Sequence, residues 1–133
     1  MLKKGEYIVY GSNDVEFYPD SLYLALQSGK ALTAFNTGLL TPDDGNICEH
    51  FVIKKDFVKQ IGGEIFDTDF YHVGCDNLLW AKASKLDEAI RCEEAKVNHY
   101  HFSTGSPKDE VYEKGWSKAA EDRKLLAKKL KEL

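Results

Sequence analysis

The residues of this chain that could do chemistry are a few carboxylates and imidazoles placed where one element gives way to the next. Asp76 stands in the run Gly74, Cys75, Asp76, Asn77, between a turn rich in Phe, Asp and Tyr and an apolar stretch with helical spacing. A carboxylate at such a junction can accept a proton at the rim of a cleft. It can equally cap the helix behind it by accepting a backbone N–H, and the helix N-terminus would then lower its pKa and weaken it as a base. Asp14 closes Gly11, Ser12, Asn13, Asp14 at the C-terminal end of a short apolar strand, where ligands gather in open α/β sheets. Residues of that kind also serve as turn residues. His99 and His101 are two positions apart, so on a strand they point the same way. They are either hydrogen-bonded, half-buried side chains or, with a carboxylate such as Asp14 beside them, metal ligands. Cys48, His50, His72 and Cys75 raise a zinc alternative, although their spacings do not match the common paired-ligand patterns.

The elements that must position these residues follow from apolar periodicity and turn chemistry. Residues 6–10 (EYIVY) are apolar and β-branched without alternation, which predicts a strand covered on both faces. Asp20 or Ser21 starts a short helix carrying Leu22, Ala25 and Leu26 on one face, closed by Gly29. Residues 31–36 read as a second strand, and 41–46, with Pro42, Asp44 and Gly45, as an acidic loop. Residues 47–54 alternate, with Ile47, Glu49, Phe51 and Ile53 on one face and Cys48, His50, Val52 and Lys54 on the other, so one face should be buried. Asp56 can cap a helix over 57–61 that ends at Gly62 and Gly63. Leu78, Leu79, Ala83 and Leu86 keep a helical period to about Lys85. Residues 89–102 predict a bent strand or a strand pair, and 103–108 break the pattern. A last helix, about 117–133, carries Ala119, Ala120, Leu126, Leu130 and Leu133, with a Lys-rich solvated side. The order β-α-β-loop-β-α-turn-α-β-α fits an α/β or α+β arrangement in one domain, and of these the α/β form is expected, a single domain with a small mixed sheet flanked by helices.

Composition removes several function classes. The chain has 133 residues, 43% hydrophobic and 30% charged. A chain of that length buries about two thirds of its unfolded surface without staples. A formal net charge of -4 gives no general attraction to phosphate backbones or anionic membranes, so neither nucleic acid nor membrane is an expected partner. Three cysteines in no disulfide spacing point to reduced thiols and a cytoplasmic setting. No run reaches the length of a signal peptide core or a membrane span.

Together the motifs resemble GT-A type glycosyltransferases, which use nucleotide-diphospho-sugars, and in particular phage or environmental members. The region from Tyr10 to Phe17 with Asn13 and Asp14 resembles their metal-binding Asp-x-Asp segment, with Asn13 in the place of the first Asp. Gly62, Gly63, Ile65, Phe66 and Phe70, then Gly74 to Asn77 and Trp80, resemble the acceptor-side loop with its catalytic carboxylate. The segment from Val97 to His101 resembles the late strand whose His completes the metal site. The resemblance covers Glu6 to about Arg123 and implies a truncated GT-A fold, without the preceding nucleotide-binding βαβ part. It implies a divalent ion, Mn²⁺ or Mg²⁺, held by Asp14 and His99 against the donor diphosphate. Asp76 is then the base that deprotonates an acceptor hydroxyl, and Asn13, His50, His72, Asn77 and His101 are substrate-binding. The expected function is metal-dependent sugar transfer, either by a glycosyltransferase as such or by one half of a split enzyme. The alternative is an inactive remnant serving as a carbohydrate-binding or assembly module. A missing sheet half leaves an edge to cover, so a homodimer or a separate N-terminal partner chain is expected.

Overall fold

The β-branched and aromatic runs form β1 (Tyr7–Tyr10), β2 (Val15–Phe17), β3 (Leu32–Asn36), β4 (Phe51–Lys54) and β5 (Ala89–His99). These make one mixed five-stranded sheet in the order β1-β4-β3-β5-β2. The computed structural model describes residues 5–38, 48–100 and 110–133. Every strand pairing is antiparallel except β3 with β5, which run parallel. The helices are α1 (Ser21–Leu26), α2 (Lys55–Gln60), α3 (Cys75–Lys85), α4 (Glu110–Trp116) and α5 (Ala119–Lys131). The chain is thus a single α/β domain with a small mixed sheet, as its apolar pattern predicts.

Two apolar clusters lie on the two faces of the sheet. Leu32, Ala34, Phe51 and Ile53 pack with Phe57, Ile61, Leu79, Trp80 and Ala83 from the α2–α3 side. Phe35 and Val52 pack with Ala25 from α1 and with Ala95 and Val97 from β5. Alternation along β4 therefore holds, but the expectation of one buried face does not: Phe51, Val52 and Ile53 are all buried, because β4 lies inside the sheet between β1 and β3.

The converse correction applies to β1. Its lack of alternation predicts burial on both faces, yet it is an edge strand paired only with β4, with Val9 43% and Tyr10 38% exposed. β2, three residues interrupted by Glu16, goes unannounced in the sequence and pairs with the end of β5. Residues 89–99 form one strand rather than two: β5 pairs first with β3, shifts register at Phe35/Asn36, and then pairs with β2.

Helix ends depart from the predicted caps. Asp20 precedes α1 but makes no side-chain capping bond. Leu22 is exposed, while Ser21 and Ala25 form the buried face of the helix. Asp56 lies in the first turn of α2 and Lys54 precedes the helix. α4 was not foreseen. On α5 the Lys-rich side is not wholly solvated, because Lys129 reaches Asp67 and Asp69, each at 2.6 Å. Leu130 and Leu133 are exposed instead. The predicted loop 41–46 and His101 lie outside the described residues.

A candidate metal and proton-transfer site

Sheet register assembles the site. Val15 pairs with His99, and the Tyr100 N–H donates to the Asp14 carbonyl at 2.8 Å, so the turn after β1 is held beside the end of β5. The Phe35 N–H donates to the His50 carbonyl at 2.9 Å, which extends the β3–β4 ladder back to His50. Tyr10, the last residue of β1, pairs with Phe51. The C-terminal ends of β1, β3 and β5 and the approach to β4 therefore meet along one side of the sheet.

His99 is the centre of this cluster. Its Nε2 lies 3.3 Å from Asp14 Oδ2 and its Nδ1 lies 3.2 Å from Glu49 Oε2. Burial would lower the His99 pKa, but the hydrogen bond to Glu49 and the charges of Asp14 and Glu49 outweigh it and hold the ring above its ordinary value. Glu49 responds in the opposite sense. Burial would raise it, and the hydrogen bond and charge of His99 bring it below the usual glutamate value. Ser12 donates to Asp14, so the second carboxylate is also oriented.

His50 packs edge-on against the His99 ring, with centroids 4.6 Å apart, and lies nearly parallel to Tyr10 at 6.4 Å. It is 3% exposed, and neither ring nitrogen has a hydrogen-bond partner. Burial first, and then the charge of His99, push its pKa down to about 4. The ring is therefore neutral at neutral pH, with one nitrogen lone pair available. Donor atoms of Glu49, His50 and His99 all lie within 4.8 Å of one another and form a potential metal-binding group.

Asp76 is not the cap of α3. Gly74 holds that position with φ of 97°, in the left-handed region that favours glycine. Phe70 leaves no room there for a side chain, since a Cβ on Gly74 would lie 2.9 Å from its ring. Asp76 sits in the first turn and accepts the Asn77 N–H at 3.0 Å. Its pKa moves opposite to the expectation from the helix N-terminus. Burial pushes it up to about 6, the negative charge of Glu49 adds to this, and the backbone N–H bonds only partly oppose it. Tyr10 lies against His50, and burial raises its phenol, with the charges of Cys75, Asp76 and Asp14 raising it further.

The remaining predicted residues divide clearly. Asn77 follows Asp76 in α3 and is partly buried, whereas Asn13 is exposed in the turn after β1. His72 is apart from the imidazole cluster, with its ring against Trp116 at 5.8 Å and close to Gly115. The zinc alternative therefore does not assemble as foreseen: the potential metal group among the described residues contains His50 but not Cys48, His72 or Cys75. Cys48 is fully buried and donates to the Asp76 carbonyl at 3.4 Å, and burial lifts its thiol well above the ordinary value. Burial likewise pushes Cys75 to about 11, so neither thiol is a nucleophile at neutral pH. All three cysteines are free.

Glu49 and Asp122 are the residues that sequence reasoning missed. Glu49 reads as one member of an alternating strand face, with nothing local to set it apart as a functional residue. Asp122 looks like one more charge on a charged helix, but it lies on the stripe Ala119, Asp122, Leu126, which is the available signal. It is 4% exposed and accepts three backbone N–H groups, from Tyr71 at 2.9 Å, His72 at 2.7 Å and Val73 at 2.9 Å. Burial opposes its ionisation, yet these three bonds keep its pKa below the ordinary value. Asp122 thereby fixes the loop that leads through Gly74 into Asp76.

Comparison with protein-family models, with curated proteins and with solved structures found no match to this chain. Among the described residues no helix is long and apolar enough to cross a membrane.

Proposed function

We propose that the chain takes part in metal-dependent transfer of a sugar from a nucleotide-diphospho-sugar to an acceptor hydroxyl. The observation that carries this reading is the meeting of Asp14 and His99 at 3.3 Å, at the strand ends where the resemblance to GT-A glycosyltransferases expects its metal ligands. A carboxylate and an imidazole suit Mn²⁺ well and Mg²⁺ less well. The unpartnered His50 ring beside them fits a polar or charged guest better than an apolar core. A bound ion would neutralise the negative charge of the diphosphate leaving group.

Each residue then has a task. Asp14 presents its carboxylate, oriented by Ser12, and Glu49 orients His99 through Nδ1, the arrangement in which an outer carboxylate fixes a ligand imidazole. Asp76 accepts the proton of the acceptor hydroxyl. A carboxylate with a pKa of about 6 is mostly ionised at neutral pH and a stronger base than an ordinary aspartate. The outer edge of β1, which carries no strand among the described residues, is where a second copy or a separate nucleotide-binding chain would join the sheet.

Titration calorimetry tests the reading. Nucleoside diphosphate should bind only with Mn²⁺ present, and Asp14→Ala should abolish that binding. Asp76→Asn should leave it intact while removing transfer of the sugar to a hydroxyl acceptor or to water. Absence of nucleotide binding with Mn²⁺, whether the chain is alone or joined by a nucleotide-binding partner, sinks the proposal. Glycan binding that persists in both variants would favour a carbohydrate-binding module instead.

A further inference from the structure

The strongest unexplained feature of the molecule is His50. An imidazole buried to 3% exposure with both nitrogens unpartnered is a costly arrangement, since burying a polar group without a hydrogen bond costs on the order of 1–3 kcal/mol in proteins. Packing alone does not account for it, because a phenyl ring would fill the same place between Tyr10 and His99 without that cost. The ring belongs to a group with two other donors, Glu49 Oε2 and a nitrogen of His99, which are themselves 3.2 Å apart across Nδ1.

We propose that Glu49, His50 and His99 together form a three-donor centre for a divalent first-row transition ion, selecting Mn²⁺, Co²⁺ or Zn²⁺ over Mg²⁺ and Ca²⁺. Two imidazoles and one carboxylate are a borderline donor set, whereas Mg²⁺ and Ca²⁺ prefer all-oxygen shells. The donors lie within 4.8 Å of one another, and metal–ligand bonds of about 2.0–2.2 Å set any two donors no more than about 4.4 Å apart. In a four-coordinate site the same bond lengths set donors about 3.3–3.6 Å apart, so side-chain rotations that move the donor atoms by about an ångström close the site. Three protein donors leave positions open to an outside ligand, the form taken by catalytic rather than structural centres. Asp14 then stands on the far nitrogen of His99, as the carboxylate that orients the ring while Nδ1 faces the ion.

This assignment shares His99 with the sugar-transfer reading and sharpens the identity of its ion, but it does not depend on transfer. It exchanges the roles of Asp14 and Glu49: Glu49 becomes the ligand and Asp14 the orienting group. The test uses metal ions alone, without nucleotide. Wild-type protein titrated with Co²⁺ should bind one equivalent with visible absorption bands of a low-coordinate site, and Mg²⁺ in excess should not displace it. His50→Gln and Glu49→Gln should each weaken Co²⁺ by more than about tenfold, beyond the loss seen for Asp14→Asn, since ligand loss exceeds loss of an orienting partner. Circular dichroism confirms that each variant folds, and Glu49→Gln decides the matter if His50→Gln does not.

Equal binding of Mg²⁺ and Co²⁺, or Co²⁺ affinity unchanged in both His50→Gln and Glu49→Gln, overturns the assignment. Loss of the ion in Asp14→Asn with retention in His50→Gln also overturns it, while leaving the Asp14–His99 site of the transfer reading standing. Co²⁺ binding as expected without any nucleotide binding sinks the transfer reading alone.

Discussion

Two buried polar centres of this molecule are built from the same kinds of residue and satisfied to opposite degrees. Around Asp122 three backbone N–H groups converge on one carboxylate, and both of its oxygens accept. Around His50 the ring is as well buried but both nitrogens are left over. Full satisfaction is what a structural joint needs, because each buried group left unmatched raises the energy of the fold. Incomplete satisfaction beside two carboxylates and a second imidazole is what a binding site needs before its ligand arrives. The difference separates the residue that holds the site in shape from the residues that would do its chemistry.

Substitution can break that comparison. The largest effect is expected at Asp122, where replacement by Ala removes the shared acceptor of the Tyr71, His72 and Val73 N–H groups and should lower the unfolding free energy by about 2–4 kcal/mol. Chemical denaturation measures it, and a loss under about 1 kcal/mol would mean that the loop 71–73 is held by something else. Asp76 should come next, with an effect that depends on pH. Its folded pKa of about 6 lies above the unfolded value of about 3.9. Its contribution is therefore fully present below about pH 4 and is lost as pH rises through 6. Asp76→Asn, which mimics the protonated form, should stabilise the fold by up to about 3 kcal/mol at pH 8 and by little at pH 4. Thermal melts at the two pH values decide this, and a gain that is the same at both would remove the burial argument. The smallest effect is expected at His50 in chelator-treated protein. With no hydrogen bond to lose and an unmatched buried polar ring removed, His50→Phe should stabilise the metal-free fold by about 1 kcal/mol, and a loss of stability would show that the ring already has a structural partner.

Much of the sheet was legible because apolar β-branched runs leave few alternatives, as at Leu32 to Phe35 and Phe51 to Ile53. Edge or centre was not legible. β1 and β4 look equally apolar, and only the pairing order decides which is exposed. β2 is too short to register as a period, and α4 follows Ser106 and Pro107, which signal a break rather than a beginning. In the site, Asp14 could be anticipated because strand ends collect ligands and His99 because it shares a strand face with a second His and matches the resemblance, and the structure brings Asp14 and His99 together. Their third companion could not. Glu49 sits in a pattern that reads as alternation, and its side chain meets His99 only through pairings between distant strands. The pKa of Asp76 was misjudged for a related reason. Position at a helix start is local and visible in sequence, whereas burial is a property of the whole fold, and here burial dominates.

The order in which a ribosome releases this chain gives the β5 pairing a consequence of timing. Asp14 and Glu49 emerge early and meet His99 only after β5 is made, 50 residues beyond Glu49. The loop before Asp76 waits as long for Asp122, 51 residues beyond Tyr71. Closing loops of that length is entropically unfavourable until the sheet rewards it. A nascent chain therefore presents scattered carboxylates and imidazoles of ordinary affinity, and ion capture belongs to the finished protein rather than to its synthesis.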